Sequence, residues 1–486
     1  FLYYNKYKMN SVASQQKRFI RLTPSNNSTG GFSPDASQPI IRFSIADTMA
    51  SANMVDARLN FKMRVVRSET GSTAVQAVGD DFNIDRCLNG CSVLDQVIIS
   101  SRRYGNQIEA VHNLGRLNSS WYSTLYSPKQ MAANVGMNCR SIGKGRYNGR
   151  NASVGLGATV DDNYMRLQRK YLVTSGAAVG GTVSGKQGWN QGVGATTASG
   201  VQQDAGYLDF SIPLHLGFFQ NTDVNLNQVG GLEITLYLAQ SRSLFFGTGN
   251  NKPQTDSTYQ LTDVNMTLPL LYYSAPEIQA QAQNQQSVVS FMFWTSIYSV
   301  LDSTFTSIAH RLALKGLLSS IHNTQPTQSI NSLKHNNHAL INSGIQQLTF
   351  LRDGVKNPYE KTMIPTENRA LSVSDQSCTN PEILNEYLSA YRNARDILYS
   401  QVMPENINGR SNIVQGVYGL GANYDPSAGA GISISGTISY DIQTKLEDIT
   451  TTPSVAPYNG TESYAFYSYY LSRQDYVVTP QGMSPV

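Results

Sequence analysis

Few residues in this 486-residue chain have the types and spacing that chemistry asks for. Glu109 and His112 stand three apart, and on a helix they would share a face. A carboxylate beside an imidazole can hold a metal or pass a proton. A metal site needs three or four ligands, and no further His or Cys lies at a supporting distance. The expectation is a hydrogen-bonded surface pair. Cys87 and Cys91 flank Leu-Asn-Gly, which has the look of half a zinc site, but Cys139 and Cys378 stand alone. Buried free thiols are the simpler reading. His335 and His338, in LKHNNHAL, read as loop. The runs GAAVGGTVSG and YGLGANYDPSAGAG lack the Gly-Lys-Ser/Thr of a phosphate loop and the strand-to-helix setting of a dinucleotide site. No Gly-x-Ser-x-Gly elbow accompanies an Asp and a His. The reading is therefore no enzyme, with no catalytic residue, cofactor or metal site assigned.

Charge is the one uneven quantity. The net charge is +4 with only 14% charged residues. Lys6, Lys8, Lys17, Arg18 and Arg21 precede the first acid, Asp35, so residues 1–34 carry +5 and the rest sums to −1. Two readings stand: a solvated tail, or an arm that meets polyanion such as nucleic acid or an anionic membrane. Five such charges support modest, salt-sensitive affinity without sequence readout. The four cysteines make no disulfide framework for this length, so a reducing compartment is expected. No secretory leader and no run of eighteen apolar residues is read, so no spanning helix is expected.

The elements that would position these residues are mostly strands. In GGLEITLYL, Leu232, Ile234, Leu236 and Leu238 alternate with Glu233, Thr235 and Tyr237, the period of a half-buried strand. Strands are expected at 40–46, 57–66, 93–100, 207–214, 231–239, 259–273, 288–298, 345–351, 413–419, 431–442 and 464–478. Ile108, Val111, Leu114, Leu117, Trp121 and Leu125 fall three or four apart and predict a helix over 106–125. A second is expected at 161–172 and a third at 381–398, where Thr379-Asn380-Pro381-Glu382 supplies a cap and a first-turn proline. Residues 173–206 read as a long functional loop. The order of a helix, a Gly-led strand and a Tyr-rich strand occurs twice, about 200 residues apart, as two successive β-sandwiches would produce. Glycine (39), tyrosine (28) and abundant amide and hydroxyl side chains suit strands joined by many turns.

Three stretches together carry a resemblance: SVLDQVIISSRRYGNQIEAVHNLGRL at 92–117, YLDFSIPLHLGFFQNTDVNLNQVGGLEITLYLAQSRSLFF at 207–246, and TYQLTDVNMTLPLLYYS at 258–274. Their order resembles the double jelly-roll major capsid proteins of polinton-like viruses and virophages, over about residues 90–280. The second half is similar only in element order, size and the helix at 381–398. The resemblance implies an all-β fold with a few short helices, two eight-stranded sandwiches side by side. It divides the chain into a basic arm (1–38), a first jelly roll (39–275), a linker (276–287) and a second jelly roll (288–486). It further implies a homotrimer forming a pseudo-hexagonal capsomer in an icosahedral shell around double-stranded DNA. Its partners would be neighbouring capsomers, penton and minor capsid proteins, and its place the virion, after synthesis in host cytoplasm or nucleus. Lys6, Lys8, Lys17, Arg18 and Arg21 would then face inward, toward genome or an internal membrane. From another class comes an attachment protein, a lectin or spike using the loop around Trp189. A carbohydrate-active enzyme would need Glu233 and Asp209 brought together.

Overall fold

The computed structural model describes residues 16–26, 31–34, 38–69, 72–74, 83–85, 88–118, 164–166, 208–244, 257–274, 276–277, 287–301, 305–315, 345–352, 354–356, 360, 433–444, 464–479 and 482–485. Thirteen of the described strands precede residue 275. They are β1 (Gln16–Leu22), β2 (Ile40–Ile45), β3 (Ala50–Ala52), β4 (Arg58–Glu69), β5 (Ser72–Ala74), β6 (Asn83–Asp85) and β7 (Leu94–Ser101). Then come β8 (Gln107–Val111), β9 (Tyr164–Arg166), β10 (Leu208–Pro213), β11 (Val224–Asn225), β12 (Leu232–Leu238) and β13 (Ser257–Tyr272). The second half adds β14 (Ser287–Leu301), β15 (Phe305–Lys315), β16 (Ile345–Arg352), β17 (Val355–Lys356), β18 (Ser433–Thr444), β19 (Tyr464–Thr479) and β20 (Gly482–Pro485).

Alternation of apolar and polar residues requires each sheet to bury one face, and the first half does so as two packed layers. One layer is a seven-stranded sheet in the order β10-β4-β13-β3-β11, with β1 paired to β13 and β5 to β4. The other contains β8-β7-β12-β2. Leu59, Phe61 and Met63 of β4 and Met266, Leu268 and Leu270 of β13 face Ile41, Phe43 and Ile45 of β2 and Leu232, Ile234 and Leu236 of β12, all buried in one core. Phe61 and Phe210 stack across neighbouring strands at 5.1 Å. The buried Tyr259 donates its O–H to the Ala239 carbonyl at 2.6 Å, joining β13 to the chain just past β12 in the facing layer. Gly231 opens β12 at φ +74, and a Cβ there would lie 2.6 Å from the Ile45 carbonyl oxygen. The two glycines before LEITLYL therefore let the chain enter the sheet against β2.

The second layer does not stop at the first half. It runs as one eleven-stranded sheet, β17-β16-β18-β15-β19-β14-β8-β7-β12-β2, with β20 on β19. The joint is a parallel bridge between Thr295 of β14 and Ala110 of β8. Beyond it, β14 and β19 pair antiparallel along their whole length, Ser287 with Val478 through Leu301 with Tyr464.

The structure bears out the all-β fold class and corrects two elements. Residues 107–111, expected in a helix over 106–125, form strand β8, while 114–118 are helical and 119–125 lie outside the described residues. Ile108 and Val111 of that three-and-four spacing lie on the strand, and Leu114 and Leu117 on the helical residues after it. The backbone groups of 107–111 go to β7 and β14, and ladder pairing outweighs a local helical pattern. In the expected helix at 161–172, Tyr164–Arg166 is a strand paired with Asn83–Asp85. The loop 173–206, the strand 413–419 and the helix 381–398 lie outside the described residues. Within the stretch read as an arm, Gln16–Leu22 is a strand and Phe32 is buried in the core. The internal echo is partial: β12 and β18 share the long sheet, whereas the Tyr-rich β13 and β19 lie in different sheets.

Candidate functional site: a buried seam and a basic edge strand

Glu109 sits on β8, the strand that joins the halves, and it is 1% exposed. A buried carboxylate demands partners. Here they are three backbone N–H groups. Oε1 accepts from Gly217 at 2.9 Å and from Trp294 at 2.6 Å, and Oε2 accepts from Phe218 at 2.8 Å. One side chain thus ties β8, the loop after β10 and strand β14 of the second half. Burial pushes its carboxyl up to about 7, against the pull of the three N–H donors. Gly217 makes the approach possible. A Cβ there would stand 2.5 Å from Phe293 Cα and 2.7 Å from Phe293 N, both backbone atoms of β14.

Aromatic residues close the seam. The Phe218 ring lies 5.0 Å from Phe291, and Phe291 lies 6.0 Å from Tyr476. Tyr469 donates its O–H to the Asn113 carbonyl at 2.9 Å, and the Arg116 guanidinium lies 4.3 Å from the Tyr467 ring centre. Asn106 donates its side-chain N–H to the Met483 carbonyl. His215, two residues before Gly217, is pushed down to about 3 by burial first and the nearby Arg58 charge second. Glu109 and His112 do not form the surface pair expected of a helix. Glu109 is inside, while His112 is exposed and its backbone N–H donates to Ser296 Oγ at 2.9 Å. Sequence spacing missed this site because its partners are backbone groups 108 and 185 residues away.

The second candidate is β1. Among the described strands it pairs only with β13, which puts it at an edge of the seven-stranded sheet. Ile20 and Leu22 pack against the core, while Lys17, Phe19 and Arg21 alternate on the outer face and are exposed. Lys17 Nζ lies 5.5 Å from the Phe19 ring centre. Arg18 projects on the opposite face of the strand, 5.8 Å from the Tyr272 ring centre. The period of two thus separates Arg18 from Lys17 and Arg21. Lys6 and Lys8 lie outside the described residues.

Cys91 is a buried free thiol whose Sγ donates to the Pro213 carbonyl at 3.8 Å. Cys87, Cys139, Cys378, His335, His338 and Trp189 lie outside the described residues. Glu233 and Asp209 lie on strands of different sheets, β12 and β10. Among the described residues no three His, Cys, Asp or Glu side chains group to hold a metal, and no helix is long and apolar enough to cross a membrane.

No family model and no curated protein matches the sequence. Solved structures do match in fold. The Faustovirus major capsid protein aligns over 96% of this chain and 91% of its own at a TM-score of 0.55 and 9% identity. A chain of the Sputnik virophage particle aligns over 97% and 88% at 0.52 and 8% identity. The chain has the double jelly-roll fold of viral major capsid proteins. A glycosylasparaginase also aligns, at a TM-score of 0.24, too low to support a relation. The Glu109 seam is thus where strands of the two halves meet, and β1 borders the seven-stranded sheet beside β13.

Proposed function

We propose that this chain is a major capsid protein that self-assembles as homotrimeric, pseudo-hexagonal capsomers into an icosahedral shell enclosing a double-stranded DNA genome. Its place is the virion. The division into a first jelly roll at 39–275, a linker at 276–287 and a second at 288–486 belongs to the same reading. The observation that supports it is the continuous eleven-stranded sheet, in which strands of both halves run side by side. Two fixed lobes per chain give a six-lobed outline to a threefold assembly, and closed symmetry is the usual route for such subunits. A flexible pair of domains would not tile. No catalytic group enters this role: Glu109, the one strongly perturbed carboxyl described, is fully occupied by backbone donors.

The contacts of such a capsomer would be its neighbours in the shell, penton and minor capsid proteins. The arm with Lys6, Lys8, Lys17, Arg18 and Arg21 would face the enclosed genome. Negative-stain images of the purified protein test the assembly. Uniform three-lobed particles with a hexagonal outline are expected, and a persistent monomer would sink the proposal. Deleting residues 1–15, which leaves β1 in its sheet, is expected to lower particle or packaging yield while trimers persist.

A further inference from the structure

The basic residues of β1 are not alone on their face. Register carries it across the sheet: Arg21 pairs with Thr267 of β13, and Thr267 pairs with Arg58 of β4. Paired residues share a face, so Arg21 and Arg58 lie about 10 Å apart across three strands. On β4 the alternate residues Leu59, Phe61 and Met63 are buried, which turns Arg58, Asn60 and Lys62 outward. Strands β1 and β4 run the same way, each antiparallel to β13. Lys17, the Arg21–Arg58 pair and Lys62 therefore form a diagonal stripe, with steps of about 13 Å for four residues. Between Arg21, Arg58 and Lys62 stand Asn60 and Thr267, neutral side chains bonded at 2.9 Å, and between Lys17 and Arg21 stands the exposed Phe19.

We infer that this outer face, built by Lys17 and Arg21 of β1 with Arg58 and Lys62 of β4, binds the phosphate backbone of duplex DNA. The inference rests on the reading that the chain encloses a DNA genome, and it moves the contact from a tail to a folded surface. Three observations favour phosphate. The cations come from segments about 40 residues apart in sequence, so the fold and not a local run concentrates them. Steps of about 10 to 13 Å suit phosphates facing each other across a major groove about 12 Å wide. On the opposite layer of the same half the paired outward residues of β2 and β12, Arg42, Ser44, Glu233 and Thr235, carry one charge of each sign, and β7 adds the exposed Asp95. A bilayer is disfavoured because surface insertion scales with apolar area, and Phe19, 65% exposed, is the lone large ring offered on β1.

Two acids temper the face at its Lys62 end. Asp263, in the left-handed region at φ 51, pairs with Lys62 at 2.7 Å, and Lys62 first and Arg21 more weakly hold its carboxyl below the usual range. Asp209, opposite Lys62 in register on β10, occupies the same end. The Arg21–Arg58 end is accordingly the stronger. The test is binding of the full chain to a fluorescent 20-base-pair duplex, with salt raised from 50 to 200 mM. Each phosphate contact adds about 0.9 to the slope of log affinity against log salt. Arg21→Gln with Arg58→Gln is expected to lower affinity at least about tenfold at 50 mM and to reduce that slope by about two. Asp263→Asn, which keeps a residue tolerant of positive φ, is expected to free Lys62, tighten binding and steepen the slope. Arg58→Gln binding as well as the unaltered chain would overturn the inference, as would a D263N variant with unchanged affinity. So would capture by phosphatidylserine vesicles without duplex binding. Duplex binding by a chain that never forms three-lobed particles would remove the capsid reading and leave this face standing.

Discussion

Glu109 and Lys62 are ionisable side chains on strands of the same sandwich, and their surroundings give them opposite work. Glu109 is sealed in the seam, with no cation beside it among the described residues and three N–H groups converging on its oxygens. Lys62 stands on an outer face, with its side chain 45% exposed and paired to a still more open Asp263. In the seam, low dielectric makes the hydrogen bonds of one carboxyl decide how the two halves are joined. On the face, water and salt screen each charge, so several must act together and their effect shows in binding. Burial, more than residue type, separates a joint from a contact surface.

The sharpest way to break the comparison is at the seam. Glu109→Ala leaves three buried N–H groups without an acceptor and is expected to cost about 3 to 5 kcal/mol, read as a lowered urea midpoint. Gly217→Val drives a side chain into the β14 backbone and is expected to cost at least as much, with exposure of Trp294 fluorescence to quencher. If either variant matched the unaltered protein, the seam would not be the joint.

Acidity sharpens the same point. Glu109, raised to about 7 by burial, is protonated more readily folded than unfolded. Its contribution is full below about pH 4.5 and is lost as pH rises through 7, a span worth about 3 kcal/mol. His215, lowered to about 3 by burial and Arg58, acts in reverse and loses stability as pH falls from 6.5 toward 3. The slopes oppose between pH 4.5 and 6.5, so the thermal midpoint is expected to vary little there. Glu109→Gln is expected to remove one slope and leave a midpoint that falls steadily below pH 6.5. A variant profile parallel to the original would remove Glu109 from this role.

Smaller effects follow. Tyr469→Phe, losing the O–H donated to the Asn113 carbonyl, is expected to cost about 1 kcal/mol by the same unfolding measurement. Lys62→Gln is expected to leave the thermal midpoint unmoved while shifting the salt dependence of duplex binding. A lowered midpoint there would erase the contrast between face and seam.

Period-two alternation was readable wherever one face of a strand is buried. Ile40–Ile45, Leu232–Leu238 and Ser257–Tyr272 were found within a residue or two of their expected bounds. Phe305–Lys315 escaped because His310 interrupts the alternation of Ile308, Leu312 and Leu314 and Phe305 falls on the other face, and Gln16–Leu22 escaped because its charges read as tail. Gln107–Val111 was mistaken for helix, since a central strand covered on both faces loses its alternation: Ile108, Glu109 and Val111 are all buried.

By itself the sequence determined the all-β class and the concentration of positive charge before residue 22, because strand period and composition are local properties. Only the tertiary structure decided that Glu109 would hold the halves together and that Arg58 and Lys62 would stand beside Lys17 and Arg21. Both depend on which strands become neighbours, and register brings together residues whose separation along the chain carries no signal of it.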